Sequence, residues 1–237
     1  MFTGALVALI TPFRDGEVDF ETLDELVAFH IENGIDGIAP VGTTGESPTL
    51  SHDEHKKVIE RVVKTVAGRV PVIAGAGSNS TAEAIELAAF SKKVGADATL
   101  QVDPYYNKPT QEGFYQHFKT IAEEVDLPMV LYDIPSRCGA GMTADTVVRL
   151  AQIENIVAIK DATGSLDHVS EIATRCDLTI LSGDDSLTLP IASVGGKGVI
   201  SVVANIVSAD VKAMTDLILE GDLVSARQWH NKLFALS

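Results

Sequence analysis

The chain has 237 residues, 46% of them hydrophobic, with a formal net charge of −15. That field repels phosphate backbones and anionic lipid, which argues against nucleic-acid and membrane partners, and the longest N-terminal apolar run, Ala5 to Ile10, has no basic stretch before it and falls far short of the ~18 residues of a membrane span. Two cysteines, Cys138 and Cys176, are too few for a disulfide scaffold and lie in no metal-ligand spacing, so the expectation is a soluble cytoplasmic protein in a reducing compartment.

Short apolar runs rich in β-formers alternate with longer amphipathic stretches along almost the whole chain. The first strand is read at Leu6 to Thr11, followed by a helix capped by Asp19. Gly37 to Val41 is the second, and Ser51-His52-Asp53-Glu54 then has the form of a capping box. Pro71 to Ala74 is the third, followed by a second box, Ser80-Thr81-Ala82-Glu83. Ala98 to Val102 precedes an N-cap at Thr110, and Met129 to Tyr132 precedes one at Thr143. Val157 to Lys160, Thr179 to Ser182 and Gly198 to Val202 complete eight βα units, with Ser208 as the last N-cap of the repeat. Even spacing, and the lack of Gly-x-Gly-x-x-Gly after the first strand, favour a closed (β/α)8 TIM barrel of the α/β class over an open sheet. The barrel is assigned residues 1–221, and a helix over Asp222 to Leu236 forms a C-terminal appendage within residues 222–237.

In such a barrel, reactive groups sit at the C-terminal ends of strands. Lys160 ends the sixth run and Tyr132 the fifth; Gly42-Thr43-Thr44-Gly45-Glu46-Ser47 follows the second and Tyr105-Tyr106 the fourth. A lysine at a strand end is ordinarily a solvated rim residue. Here it would face an apolar barrel lining that disfavours its charged form, and a neutral amine attacks carbonyls. Imine formation also needs a proton carrier, and Tyr132, Thr43 and Tyr106 are the candidates, although Tyr132 also reads as a core tyrosine and the Tyr105-Tyr106 pair as an oligomer contact. Gly42 and Gly45 let backbone approach a small carboxylate between the threonines, and the Arg137 guanidinium offers a bidentate clamp for a second one. The six histidines show no metal-ligand spacing. His52 and His55, at i and i+3, read as solvent-facing or interfacial. Gly75-Ala76-Gly77 and Gly195-Gly196-Lys197-Gly198 lack phosphate-loop spacing.

GTTGES at Gly42 to Ser47, PYYNKP at Pro104 to Pro109, YDIPSR at Tyr132 to Arg137, KDATG at Lys160 to Gly164, SGDD at Ser182 to Asp185 and GVIS at Gly198 to Ser201 stand in one order. In these motifs the chain resembles the dihydrodipicolinate synthases, pyruvate-dependent class I aldolases that need no cofactor or metal. The resemblance implies that Lys160 is the Schiff-base lysine, Tyr132 the proton donor and acceptor, and Thr43 with Tyr106 the rest of the relay, Tyr106 entering from a neighbouring subunit of a homodimer or homotetramer. It implies that Thr44 and the main chain at Ile200 contact pyruvate, and that Arg137 holds the carboxylate of L-aspartate-4-semialdehyde. Lysine is implied as an effector, at Pro48, His52, His55, Asn79, Glu83 and Tyr105. Asp133 stands where these synthases more often carry Asn, and Cys138 where Thr is usual, which makes an altered Arg137 loop the expectation. The family pattern continues past Ser237 with further helices, so residues 222–237 read as the remnant of a longer helical region. The alternatives are a sibling aldolase acting on N-acetylneuraminate or 2-keto-3-deoxy sugar acids, which Thr44 and Arg137 disfavour, and a shortened, catalytically impaired fragment, which the intact motifs disfavour.

Overall fold

The computed structural model describes residues 2–237. Eight parallel strands form its centre: β1 Gly4–Ala8, β2 Gly37–Ala39, β3 Ile73–Gly75, β4 Ala98–Val102, β5 Met129–Asp133, β6 Ile156–Asp161, β7 Thr179–Ser182 and β8 Gly198–Ser201. They neighbour one another in the order β2-β1-β8-β7-β6-β5-β4-β3. A parallel bridge between Ile38 and Val72 joins β2 to β3, with the Gly75 amide donating to the Pro40 carbonyl at 3.0 Å. The sheet therefore curls into the (β/α)8 barrel read from the sequence, and closure satisfies the two edges that an open sheet would leave unpaired.

Strand alternation sorts side chains into two layers. Leu6, Ala8, Ala39, Ile73, Ala98, Leu100, Val130, Tyr132, Ala158, Leu181 and Ile200 pack together inside the barrel. Met129, Leu131, Ile156 and Ile159 face outward onto Phe114, Phe118, Val147 and Ile172 of the surrounding helices. A one-residue register shift between the Met129–Ile156 and Val130–Ala158 pairs keeps Lys160 directly beside Tyr132.

Seven helices follow the first seven strands: α1 Phe20–Glu32, α2 His52–Val66, α3 Thr81–Val94, α4 Gln111–Glu124, α5 Ala144–Leu150, α6 Leu166–Arg175 and α7 Thr188–Ser193. The eighth, α8, spans Ala204–Glu220. Asp19, Thr110 and Thr143 cap their helices through the side chain as read, and Ser51 with Glu54 forms the reciprocal box. The second box is only half made. Ser80 accepts from the Glu83 amide, but the Glu83 carboxylate is taken by the Ser78 hydroxyl and by His52, so it does not return to the cap.

Ser208 is not an N-cap. The helix begins a turn earlier, where the Ser201 hydroxyl accepts the Ala204 amide at 2.8 Å; the backbone kinks at Val207, and buried Ser208 turns its hydroxyl to His30 Nδ1 at 3.2 Å. The helix expected from Asp222 is α9, Leu223–Leu233, capped by Asp222 and continued by a 3-10 turn to Leu236. Ala226 and Leu233 bury against the core that holds Val211, Met214 and Ile218 of α8.

The first strand ends at Ala8 rather than Thr11 because the chain turns into a small hairpin, Phe13–Arg14 paired with Glu17–Val18, that the apolar pattern does not reveal. Its signal is Asp15-Gly16: both residues have positive φ (55° and 87°), as a two-residue type I′ turn requires.

The glycine at the end of β3 is a steric necessity. A Cβ on Gly75 would lie 2.3 Å from the Val41 carbonyl oxygen, at the point where β2 and β3 close the barrel. Gly75→Ala is expected to destabilise the fold by about 3 kcal/mol or more, read by thermal or urea unfolding; a variant as stable as the parent would contradict this account of closure.

Candidate active site

Tyr132 and Lys160 are paired neighbours on β5 and β6 and point into the barrel. Lys160 is 5% exposed, and its Nζ lies 3.9 Å from the centroid of the Tyr132 ring. Burial brings its pKa down from 10.5 to about 8, against the pull of Asp184 and Asp185, whose negative charges favour the ammonium. The ring face also attracts the charged form, so desolvation dominates two opposing attractions. At about 8, roughly a tenth of the amine is neutral at pH 7, against ~0.04% for an ordinary lysine. Tyr132 is pushed the other way, up to about 12, because burial disfavours the phenolate while the Thr43 side chain and the Arg137 charge only partly offset it. It therefore remains a phenol, able both to donate and to accept.

A cavity of about 310 Å³ is lined by residues that include Gly42, Thr43, Tyr105, Tyr132, Arg137 and Cys138; Lys160 is outside this lining and adjoins it through the Tyr132 ring. The Thr43 loop is held by a strained backbone. Val41 and Glu46 have φ of 48° and 60°, unusual for residues bearing a Cβ, and the Thr11 hydroxyl donates to the Gly45 carbonyl at 2.7 Å. The two loop glycines differ in purpose. A Cβ on Gly45 would stand 2.9 Å from the Leu9 carbonyl oxygen, whereas one on Gly42 would meet only Leu100 at 3.9 Å, so Gly45 serves backbone packing and Gly42 leaves room in the cavity.

The other sequence candidates divide. Arg137 reaches the cavity on a helical turn, Pro135–Cys138, and is near enough to bias Tyr132, Lys160 and Asp184. The Asp133 and Cys138 departures leave it on the cavity wall. The Cys138 thiol, pushed up to about 12 by burial, donates to the Asp103 carbonyl at 3.4 Å and is not a nucleophile. Ile200 is fully buried on β8 inside the barrel, while Thr44 is half-buried and outside the cavity lining. Tyr106 is not brought to Tyr132 within the chain: it is 90% exposed with φ of 73°.

Of the effector candidates, Pro48 and Tyr105 line the cavity. His52 pairs with Glu83 at 2.5 Å, and the Asn79 carbonyl accepts from Asn107 at 3.1 Å. Of the two histidines read as solvent-facing or interfacial, His52 is exposed and His55 is not solvent-facing. It is buried, with Nε2 2.7 Å from the Gly75 carbonyl and Nδ1 3.3 Å from the Ser47 hydroxyl, which fixes Nε2 as the protonated nitrogen. Burial depresses its pKa and keeps it neutral.

Sequence reasoning gave no role to Asp184 and Asp185, the acidic pair after β7. Burial raises the Asp184 carboxyl while the Lys160 charge pulls it down, and the Asp184 charge in turn favours the Lys160 ammonium. Asp185 accepts from the Ser201 hydroxyl and from the amides of Val202 and Val203 at 2.9 and 3.1 Å, tying the start of α8 to the site. The signal available was two consecutive acids at a strand's C-terminal end.

This arrangement can perform amine addition to a carbonyl with local proton transfer. The family model that describes the dihydrodipicolinate synthetase family matches residues 1–237. The chain belongs to that family. A 4-hydroxy-tetrahydrodipicolinate synthase of Methanocaldococcus jannaschii is 58% identical over 237 residues, which is all of this chain and 82% of the relative. The crystal structure of dihydrodipicolinate synthase from Aquifex aeolicus matches at a TM-score of 0.98 and 54% identity, over 99% of this chain and 81% of that one. A chloride-inhibited dihydrodipicolinate synthase from Acinetobacter baumannii, complexed with pyruvate, matches at a TM-score of 0.97 and 46% identity, over 100% of this chain and 82% of that one. Members of this family are class I pyruvate-dependent aldolases, and the chain is a lyase of that kind.

A lysine held partly neutral by burial weakens the fold that holds it. Its folded pKa lies below the unfolded one, so the unfolded chain binds more protons between about 8 and 10.5 and stability rises with pH across that window. Lys160→Met, which fits the same space, is expected to stabilise the protein by up to roughly 3 kcal/mol at pH 7, with the gain vanishing above pH 10.5. Thermal melts across that range check this, and a Met variant less stable at pH 7 would contradict it.

Proposed function

We propose that this chain catalyses the reaction for which its relatives are named, 4-hydroxy-tetrahydrodipicolinate synthesis from pyruvate and L-aspartate-4-semialdehyde in lysine and diaminopimelate biosynthesis. The observation that carries the reading is a desolvated lysine amine 3.9 Å from the ring centre of a buried, protonated tyrosine lining an open cavity. Neutral Lys160 adds to the C2 carbonyl of pyruvate. Tyr132 gives a proton to the departing hydroxyl, water leaves, and the imine forms. Loss of a methyl proton gives the enamine, whose carbon attacks the aldehyde. The amine of the second substrate then displaces Lys160 as the ring closes. Thr43 relays protons to Tyr132; Thr44 and the Ile200 main chain bind the pyruvate carboxylate; Arg137 holds that of the second substrate.

We assign Tyr106 to the relay of a neighbouring copy in a homodimer or homotetramer. Its near-complete exposure and left-handed backbone, which turn the ring away from its own chain, support this. Lysine is the effector we assign to the flank formed by Pro48, His52, His55, Asn79, Glu83 and Tyr105, where the Glu83 carboxylate would receive its ammonium.

Incubation with pyruvate and borohydride is expected to add the mass of a reduced imine at Lys160 alone, and Lys160→Ala to abolish it. Tyr132→Phe should slow trapping by about 10²-fold or more. An unmodified Lys160 in folded protein would overturn the reading. A labelled lysine with no turnover of aspartate semialdehyde would move the assignment to a sibling aldolase.

A further inference from the structure

The strand ends that present Tyr132 and Lys160 inward carry a second set of groups on the opposite face. Asp103, Asp133 and Asp161 each stand one residue beyond an inward neighbour, namely Val102, Tyr132 and Lys160, on β4, β5 and β6. Those neighbours are register partners, as are Asp133 and Asp161, and the Asp103 amide donates to the Tyr132 carbonyl at 3.0 Å. All three carboxyls are at most 1% exposed. Asp161 is well supplied: it accepts from Thr163 through its amide and its hydroxyl, and pairs with His168 Nδ1 at 2.9 Å.

Asp103 and Asp133 are not. Among the described residues, none of their four oxygens meets an ordinary donor, and the amides of Ile134 and Met142 approach without closing such a bond. The two carboxyls lie within hydrogen-bonding reach of each other. Two carboxylates have no hydrogen to share and repel in a low-dielectric site, so the contact is stable only if one is an acid. The titratable groups that face the pair are Asp161 and His168 from β6 and α6 and the Cys138 thiol from the turn after β5. Burial lifts both carboxyls above the usual range, which favours one proton being kept between them.

We propose that Asp103 and Asp133 share a single proton and that this bond is a positioning clamp joining the ends of β4 and β5. It fixes Tyr132, and the Tyr105-Tyr106 loop that follows Asp103, in register with Lys160. The inference rests on the roles given above to Tyr132 and Lys160, but the shared proton is read without turnover.

The test compares the full-length parent with Asp103→Asn and Asp103→Leu. In ²H₂O at pH 7 the infrared spectrum of the parent should hold a carboxylic-acid C=O band that Asp103→Asn lacks. The folded parent keeps a proton that the unfolded chain releases above pH ~4, so its unfolding constant should rise about tenfold per pH unit relative to Asp103→Asn from pH 5 to 8. Pyruvate trapping should fall at least about tenfold in Asp103→Leu, with the KM for pyruvate little changed, and be rescued in Asp103→Asn, whose amide still donates to Asp133. Identical infrared spectra with parallel pH profiles would overturn the shared proton. Parent-rate trapping by Asp103→Leu would overturn the clamp. Should the Leu variant fail to fold, the Asn comparison alone decides, since both of its physical readouts can fail.

Discussion

The desolvation of one amine is the constraint on which this structure turns. A (β/α)8 barrel is a filled core, so a lysine on the inward face of β6 is taken out of water by the same alternation that buries Leu6, Leu100 and Ile200. The cost of that burial is what makes the amine reactive, because it shifts the balance toward the neutral form. Asp184 and the Tyr132 ring face oppose the shift and stop it from going further, which keeps the amine basic enough to carry a proton as the imine forms and breaks. Tyr132 experiences the same burial with the opposite consequence, since for a phenol the neutral form is the protonated one. One apolar environment thus sets both members of the pair.

Strand alternation extends this logic to the outer face. Inward residues at the ends of β4 to β6 form the cavity and its chemistry, and the next residue on each strand points into the layer between barrel and helices. Three acids occupy that layer in a row. Their burial is tolerable only with hydrogen-bond partners or a shared proton; His168 and Thr163 supply partners for Asp161, and the Asp103–Asp133 pair requires the shared proton. The rim adds a further layer of order, in which the strained Val41 and Glu46 backbones and the Asp185 bridge to α8 hold loops that solvent would otherwise loosen.

Much of this was legible in the amino-acid sequence, and the boundary between what was and was not is physical. The eight strands showed as apolar runs because buried parallel strands are apolar on both faces; their ends differ by one to three residues, most at the first strand, where the Asp15-Gly16 hairpin follows, and by one at Asp133 and Asp161, where an acid closes the run. Most N-caps were readable because the cap is local. Ser80 and Ser208 misled because their decisive partners, His52 with Glu83 and His30, come from elsewhere in the chain. Lys160, Tyr132, Thr43 and Arg137 were singled out by their strand-end positions and motifs; Tyr132, Thr43 and Arg137 line one cavity, and Lys160 packs against the Tyr132 ring. The burial of His55 depended on how α2 lies against β3, which spacing along one helix cannot reveal. The carboxyl row had a visible trace in Val102-Asp103, Tyr132-Asp133 and Lys160-Asp161, each an acid closing an apolar run, but its meaning depends on inter-strand register.

The central claim is that burial sets the basicity of Lys160, and the most direct test is the rate of imine formation with pyruvate as a function of pH from 6 to 10. The account requires a rise of about tenfold per pH unit at the acid end, a midpoint near pH 8 and a plateau from there to pH 10, since Tyr132 keeps its proton until about 12. A rate still climbing tenfold per unit at pH 10 would mean that the amine has the basicity of a solvated lysine, and the account would be wrong.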